Sequence, residues 1–150
     1  MRLAVAIQMD PIQTININTD STFMLAMEAQ TRGHSLYYYL PSELAFRDGK
    51  LFAKIRPIEI RREMGNHCSV GKEEITDLSA VDVILMRQDP PFDMAYITAT
   101  HLLEHIHPDT LVINDPMQVR NAPEKLFVTH FENVLPPTLI TSDQTEIYAF

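Results

Sequence analysis

The chemistry-bearing residues of this chain gather where its apolar runs end. Arg87 follows the run 81–86 and leads into Gln88-Asp89-Pro90-Pro91-Phe92-Asp93. Two prolines restrict the backbone and bias Asp89 toward extended geometry. A guanidinium held at such a point is a fork-shaped donor suited to a carboxylate. The alternative is a structural turn in which Arg87 pairs with Asp89 or Asp93. Asp10-Pro11 ends the run 3–7, and Asn114-Asp115-Pro116 ends the run 110–113, so three runs share one kind of ending. Proline cannot continue a central strand, and aspartate beside it forms turns or caps helices.

Other constellations carry less. His101 and His105 stand four apart, which puts them on one helix face at a spacing zinc can use. Between them runs Leu102-Leu103-Glu104, and Glu104 falls on the wrong face for a metalloprotease, so a surface helix is the simpler reading. Cys68 follows His67 directly, and neighbours on a strand point apart, so they make no nucleophile–base pair. The four glycines, at 33, 49, 65 and 71, form neither G-x-G-x-x-G nor a Walker A loop. That argues against a dinucleotide-binding domain. No Gly-x-Ser-x-Gly elbow is present either.

A chain of 150 residues with 45% hydrophobic and 21% charged residues reads as one soluble globular domain. No apolar run approaches the roughly 20 residues that span a bilayer, and residues 1–10 read as a strand rather than a signal peptide. A single cysteine forbids an internal disulfide and suits a reducing, cytoplasmic setting. The net charge of −8 is uneven. Residues 73–150 hold only Arg87, Arg120 and Lys125 as cations, so that half is poorly suited to a nucleic-acid backbone. A cation kept in an acidic half beside a strand end is a candidate anion ligand, but Arg120 reads more simply as one member of a surface ion pair.

These residues need a scaffold. Continuous Val/Ile/Leu runs bounded by turns are the mark of strands buried on both faces. The order is strand 2–8, a helix capped at Asp20-Ser21 and stopped at Gly33, then strand 35–40. A β-hairpin insertion follows near 43–60, turning at Asp48-Gly49. Residues 61–80 read as a loop with a short strand. Across 41–80 the basic residues Arg47, Lys50, Lys54, Arg56, Arg61 and Arg62 read most simply as a solvated face, the alternative being a phosphate or partner surface. Strand 81–86, helix 93–106 and strand 110–113 resume the pattern. A short helix follows Pro116, then a helix over 123–131, a short strand 138–141 and a last helix capped at Ser142 or Asp143. The expected fold class is α/β: an open, mainly parallel sheet with flanking helices. Ligands of such sheets bind beyond the carboxyl ends of the strands.

Met9-Asp10-Pro11-Ile12, Ile15-Asn16-Ile17 and Asp20-Ser21-Thr22-Phe23 resemble the opening of bacterial glutathione synthetase. The stretch 83–93 is similar to that family's arginine–proline motif. Residues 112–116 and 121–127 (Asn-Ala-Pro-Glu-Lys-Leu-Phe) follow in the family's order. The resemblance covers nearly the whole chain and is weakest over 41–80. It implies an ATP-dependent ligase that joins γ-glutamylcysteine to glycine through an acyl phosphate, using magnesium and an ATP-grasp core. Residues 1–122 then resemble the substrate-side, Rossmann-like pre-ATP-grasp domain, and 123–150 the truncated start of the ATP-grasp region. The family's Lys-Pro-Leu-Asp-Gly loop and magnesium carboxylates are not among these residues, so the expectation is a chain inactive on its own. Carried over by motif, Arg87 contacts the peptide substrate, Asp10 and Asn16 line the same pocket, and Asn114 sits at the adjacent strand end. Lys125 resembles the lysine that reaches ATP phosphates. The resemblance assigns no catalytic residue and no metal ligand here, and implies a homo-oligomer. The alternative is a non-enzymatic binding or oligomerisation module of the same fold.

Overall fold

In the computed structural model, which describes residues 1–150 (for Glu124 the backbone alone), the chain divides into two units, Met1–Arg120 and Asn121–Phe150. The first is built on β1 (Ala4–Gln8), whose last four residues are buried. After a single 3-10 turn at Ile12–Thr14 comes α1 (Ser21–Thr31), opened by the Asp20 carboxylate accepting from Phe23 N. Gly33, at φ +82°, takes the left-handed conformation that ends it. The chain returns as β2 (Ser35–Tyr39), parallel to β1.

The hairpin of β3 (Ala45–Arg47) and β4 (Lys50–Ile60) turns at Asp48 and Gly49, both at positive φ as a type I′ turn requires. β4 is long and alternates buried and exposed residues. Residues 61–80 hold not one strand but two, β5 (Cys68–Val70) and β6 (Glu74–Asp77), both antiparallel to β4. The eleven residues of β4 give both strands an edge, and neither short run carries an apolar pattern of its own. Of the basic residues expected on a solvated face, Arg47, Lys50, Lys54 and Arg62 are exposed, and Arg56 departs from it. Arg56 is half-buried, paired with Glu43 (2.6 Å) and Glu73 (2.7 Å), while the exposed Lys50 pairs with Asp77 at 3.0 Å.

β7 (Val83–Met86), α2 (Met94–Glu104) and β8 (Leu111–Ile113) complete the unit, followed by α3 (Pro116–Asn121). The strand order is β3-β4-β2-β1-β7-β8, with β2, β1, β7 and β8 parallel. The result is an open mixed sheet whose parallel part has helices flanking it. One face packs Ala6, Ile84 and Val112 with Leu103 of α2; the other packs Val5, Ile7 and Leu36 with Phe23 and Ala26 of α1. Burying each large side chain of this kind contributes roughly 1.5–3 kcal/mol. Arg120 pairs with Glu104 (2.6 Å) and donates to Thr100 Oγ1 (3.0 Å), so the ion pair expected of it forms, part-buried and tying α3 to α2 rather than lying on the surface.

The second unit contains α4 (Glu124–Phe127) and α5 (Gln144–Ala149), with 3-10 turns between. The expected helix over 123–131 stops early: Thr129 Oγ1 bonds Leu126 O, and the chain tightens at Val128–His130. Residues 138–141 form no strand, having no neighbour to pair with. Among the described residues, no helix is long and apolar enough to cross a membrane.

Candidate functional site

β2 lies on one side of β1 and β7 on the other, so the direction of winding reverses between β1 and β7. Crevices at such a reversal, beyond the carboxyl ends of the strands, are where open α/β sheets hold ligands. The first two Asp-Pro corners meet there. Arg87 N donates to Gln8 O (2.8 Å), and Asp89 N donates to Asp10 Oδ2 (2.8 Å). Under them, the fully buried Gln8 donates from Nε2 to Gln88 Oε1. The peptide bond between Pro90 and Pro91 is cis.

The half-buried Arg87 side chain crosses to the first turn of α1. Its Nε donates to Thr22 Oγ1 (3.1 Å) and its Nη2 to Ser21 Oγ (2.7 Å). Among the described residues no carboxylate lies within ion-pair distance of it, so the pairing with Asp89 or Asp93 is not formed. Asp93 instead caps α2, accepting from Tyr96 N. Tyr96 sits close enough to feel Arg87 and Asp89, and burial raises its phenol above the ordinary range. Two neutral hydroxyls therefore aim the guanidinium without neutralising it. That arrangement suits a planar anion such as a carboxylate.

The remaining positions differ in what they touch. Asp10 is exposed and borders a cleft of about 360 Å³ with Pro11, Leu40, Pro41, Ser42 and Ala95. Asn16 turns onto its own loop, its Oδ1 accepting from Asn18 N at 3.1 Å. Asn114 is exposed at the end of β8, next to β7, beside Asp115, which caps α3 by accepting from Gln118 N (2.9 Å). Lys125 is exposed on α4, in the other unit. Ser21, Thr22, Gln8 and Gln88 escaped the sequence reading. Their signal was a pair of hydroxyls directly after the Asp20 cap and a glutamine inside an apolar strand.

The other polar clusters are structural. His101 leans on Glu104, His105 stacks on Phe46 at 4.4 Å, and His107 accepts from Val112 N. Among the described residues no three of His, Cys, Asp and Glu are grouped to hold a metal ion. Burial pushes the Cys68 thiol up, which makes it a poorer nucleophile. A roomier cleft of about 720 Å³ includes Arg2, Gln30, His34, Tyr37 and Arg61. Its polar groups bond one another: Arg2 Nε donates to Ser35 Oγ, Leu3 N to His34 Nδ1, and Gln30 spans both backbone groups of Ile60.

A family model described as prokaryotic glutathione synthetase, N-terminal domain, matches residues 3–120. The glutathione synthetase of Mesorhizobium japonicum is 57% identical over 150 residues, 100% of this chain and 48% of that protein. That of Agrobacterium fabrum is 58% identical over 146 residues, 97% of this chain and 46% of its own length. The glutathione synthetase of Shewanella oneidensis is 40% identical over 149 residues, 99% of this chain and 47% of that protein. The chain spans about half the length of the curated relatives it matches.

Proposed function

The chain belongs to the prokaryotic glutathione synthetase family through its N-terminal domain, and from that premise we propose that its α/β domain, expected over residues 1–122, is the substrate-side domain of an ATP-dependent ligase. The reaction in this reading joins γ-glutamylcysteine to glycine and yields glutathione, ADP and phosphate. The domain's part is to bind and orient the dipeptide. Arg87 takes a substrate carboxylate as a two-pronged donor. Asp10, whose Oδ2 already accepts from Asp89 N, offers its other oxygen to the substrate ammonium. Asn16 and Asn114 border the same rim. The positive end of α1 lies beside Arg87 and favours the same anion.

One observation carries this reading. Arg87 stands at the winding reversal, held by Ser21 and Thr22, with no carboxylate partner among the described residues. ATP and magnesium belong to the family reaction. The described residues offer no metal cluster and the sequence no glycine-rich loop, so the residues here do not fit a magnesium or triphosphate site. Lys125 supplies at most one cation toward an ATP phosphate, from residues 123–150, which open the ATP-grasp region in this reading. A cytoplasmic setting and self-association complete it.

Isothermal titration of the 150-residue chain with γ-glutamylcysteine tests the reading. Saturable heat that disappears in the Arg87→Ala variant supports it. Heat unchanged by that substitution, or none in the parent chain, contradicts it. Light scattering tests self-association, and a monomer at all concentrations counts against it.

A further inference from the structure

We propose that His67 is a positioning residue: from the loop between β4 and β5 it fixes residues 10–18, and through them the carboxylate site at Arg87. The inference rests on the reading above for what the site binds. The loop between β1 and α1 carries Asp10, Asn16 and the Asp20 cap, and it leads into the two hydroxyls that hold Arg87. Its ends are anchored by β1 and α1. Its middle is held from outside by an element 55 residues away, because His67 Nε2 lies 2.7 Å from Ile12 O. A carbonyl only accepts, so Nε2 bears the proton and donates.

His67 is 8% exposed, and its ring meets the edge of Phe23, with centroids 6.2 Å apart. Phe23 and Ile12 are themselves only 2% exposed, so one packed spot joins the β4–β5 loop, the β1–α1 loop and α1. Two further bonds join the end of β4 and the β4–β5 loop to this region. Asn18 Nδ2 donates to Met64 Sδ at 3.6 Å, and Gln30 of α1 binds both Ile60 N and Ile60 O at 2.8 Å. The 61–67 loop is closed beneath them by Arg61 N donating to His67 O at 2.9 Å. Without His67, Ile12 O is a buried acceptor with nothing to accept from, and the loop must shift to satisfy it. Displacing Asp10 and the Asp20 cap then disturbs Arg87 from both sides.

The test compares the parent chain with His67→Phe, which keeps a ring but cannot donate, and His67→Gln, whose amide nitrogen can take the place of Nε2. Backbone amide spectra read the loop without ligand, and calorimetry reads γ-glutamylcysteine binding. The expected result is a shift of the residue 10–18 amides in His67→Phe with about tenfold weaker binding, both restored within about threefold by His67→Gln. Should His67→Phe not fold, His67→Asn, whose amide is too short to reach Ile12, takes its place. Unmoved loop amides, or failure of His67→Gln to restore them, overturns the proposal. If the parent chain binds no dipeptide, the substrate reading fails, while the loop amides still decide the role of His67.

Discussion

Arg87 donates from Nε to Thr22 Oγ1 at 3.1 Å, joining the end of β7 to the start of α1 across 65 residues. The contact is possible because the crossover from β1 begins α1 within reach of the end of β7. An arginine there has a choice between nearby acidic residues and neutral hydroxyls. The Asp93 carboxylate caps α2, Asp89 meets the Asp10 corner through its backbone N, and neither carboxylate pairs with the guanidinium.

Arg87→Lys should weaken γ-glutamylcysteine binding by roughly tenfold and Arg87→Ala by roughly a hundredfold, and Arg87→Ala should also lose about 1 kcal/mol of stability with its bonds to Thr22 and Ser21. Lysine keeps the charge and loses the fork. Titration calorimetry and thermal melts on the same samples check this. Equal binding by Lys and Arg would mean that charge alone matters.

Thr22→Val keeps the shape of a side chain only 5% exposed and removes the acceptor for Arg87 Nε. The expected cost is about 1 kcal/mol of stability and several-fold weaker dipeptide binding. Chemical denaturation and calorimetry measure the two. A loss of stability with binding intact would sever Thr22 from the site.

Acid should loosen the insertion first. The hydrogen bond from Arg56 is the largest cause holding the Glu43 carboxyl below its ordinary range, and Glu43 in turn raises Arg56. A depressed carboxylate contributes stability that is present above its unfolded-state pKa and is lost as pH falls through the folded one. Melting temperature should therefore drop with acidification below the usual carboxylate range, and Glu43→Gln should flatten that limb while lowering the neutral plateau by about 1–3 kcal/mol. Melts from pH 7 to pH 3 decide it, and an unchanged acid limb in the variant would contradict the assignment.

Tyr39 is fully buried, and its hydroxyl has no partner among the described residues. Tyr39→Phe removes an unsatisfied polar group without opening a cavity. Stability should be unchanged or rise by about 1 kcal/mol. A loss beyond that, by urea denaturation, would show that the hydroxyl has a partner in solution.

Much of this was legible in the sequence. Three apolar runs ending in Asp-Pro announced three parallel strands, although only β1 is buried on both faces: β7 alternates, and the edge strand β8 leaves Leu111 and Ile113 exposed. The Asp48-Gly49 turn and the Asp20 cap were equally plain. The 61–80 region was not, since β5 and β6 depend on pairing with β4 rather than on their own composition. Strand 138–141 erred in the opposite direction, as β-branched residues without a neighbour do not make a strand. At the site, Arg87 could be singled out by the prolines after it. What it touches could not, because Ser21 and Thr22 are brought to it only by the crossover from β1 through α1. Asn16 was carried over from the motif resemblance, and local geometry turns its oxygen onto the Asn18 amide.

The most direct measurement is the side-chain Nε–H signal of Arg87, assigned through its loss in Arg87→Lys, followed while γ-glutamylcysteine is added. It should move progressively and saturate at the affinity found by calorimetry, while glycine alone leaves it in place. A signal that stays fixed while amides elsewhere respond to the dipeptide would place the substrate away from the rim where β1 and β7 diverge.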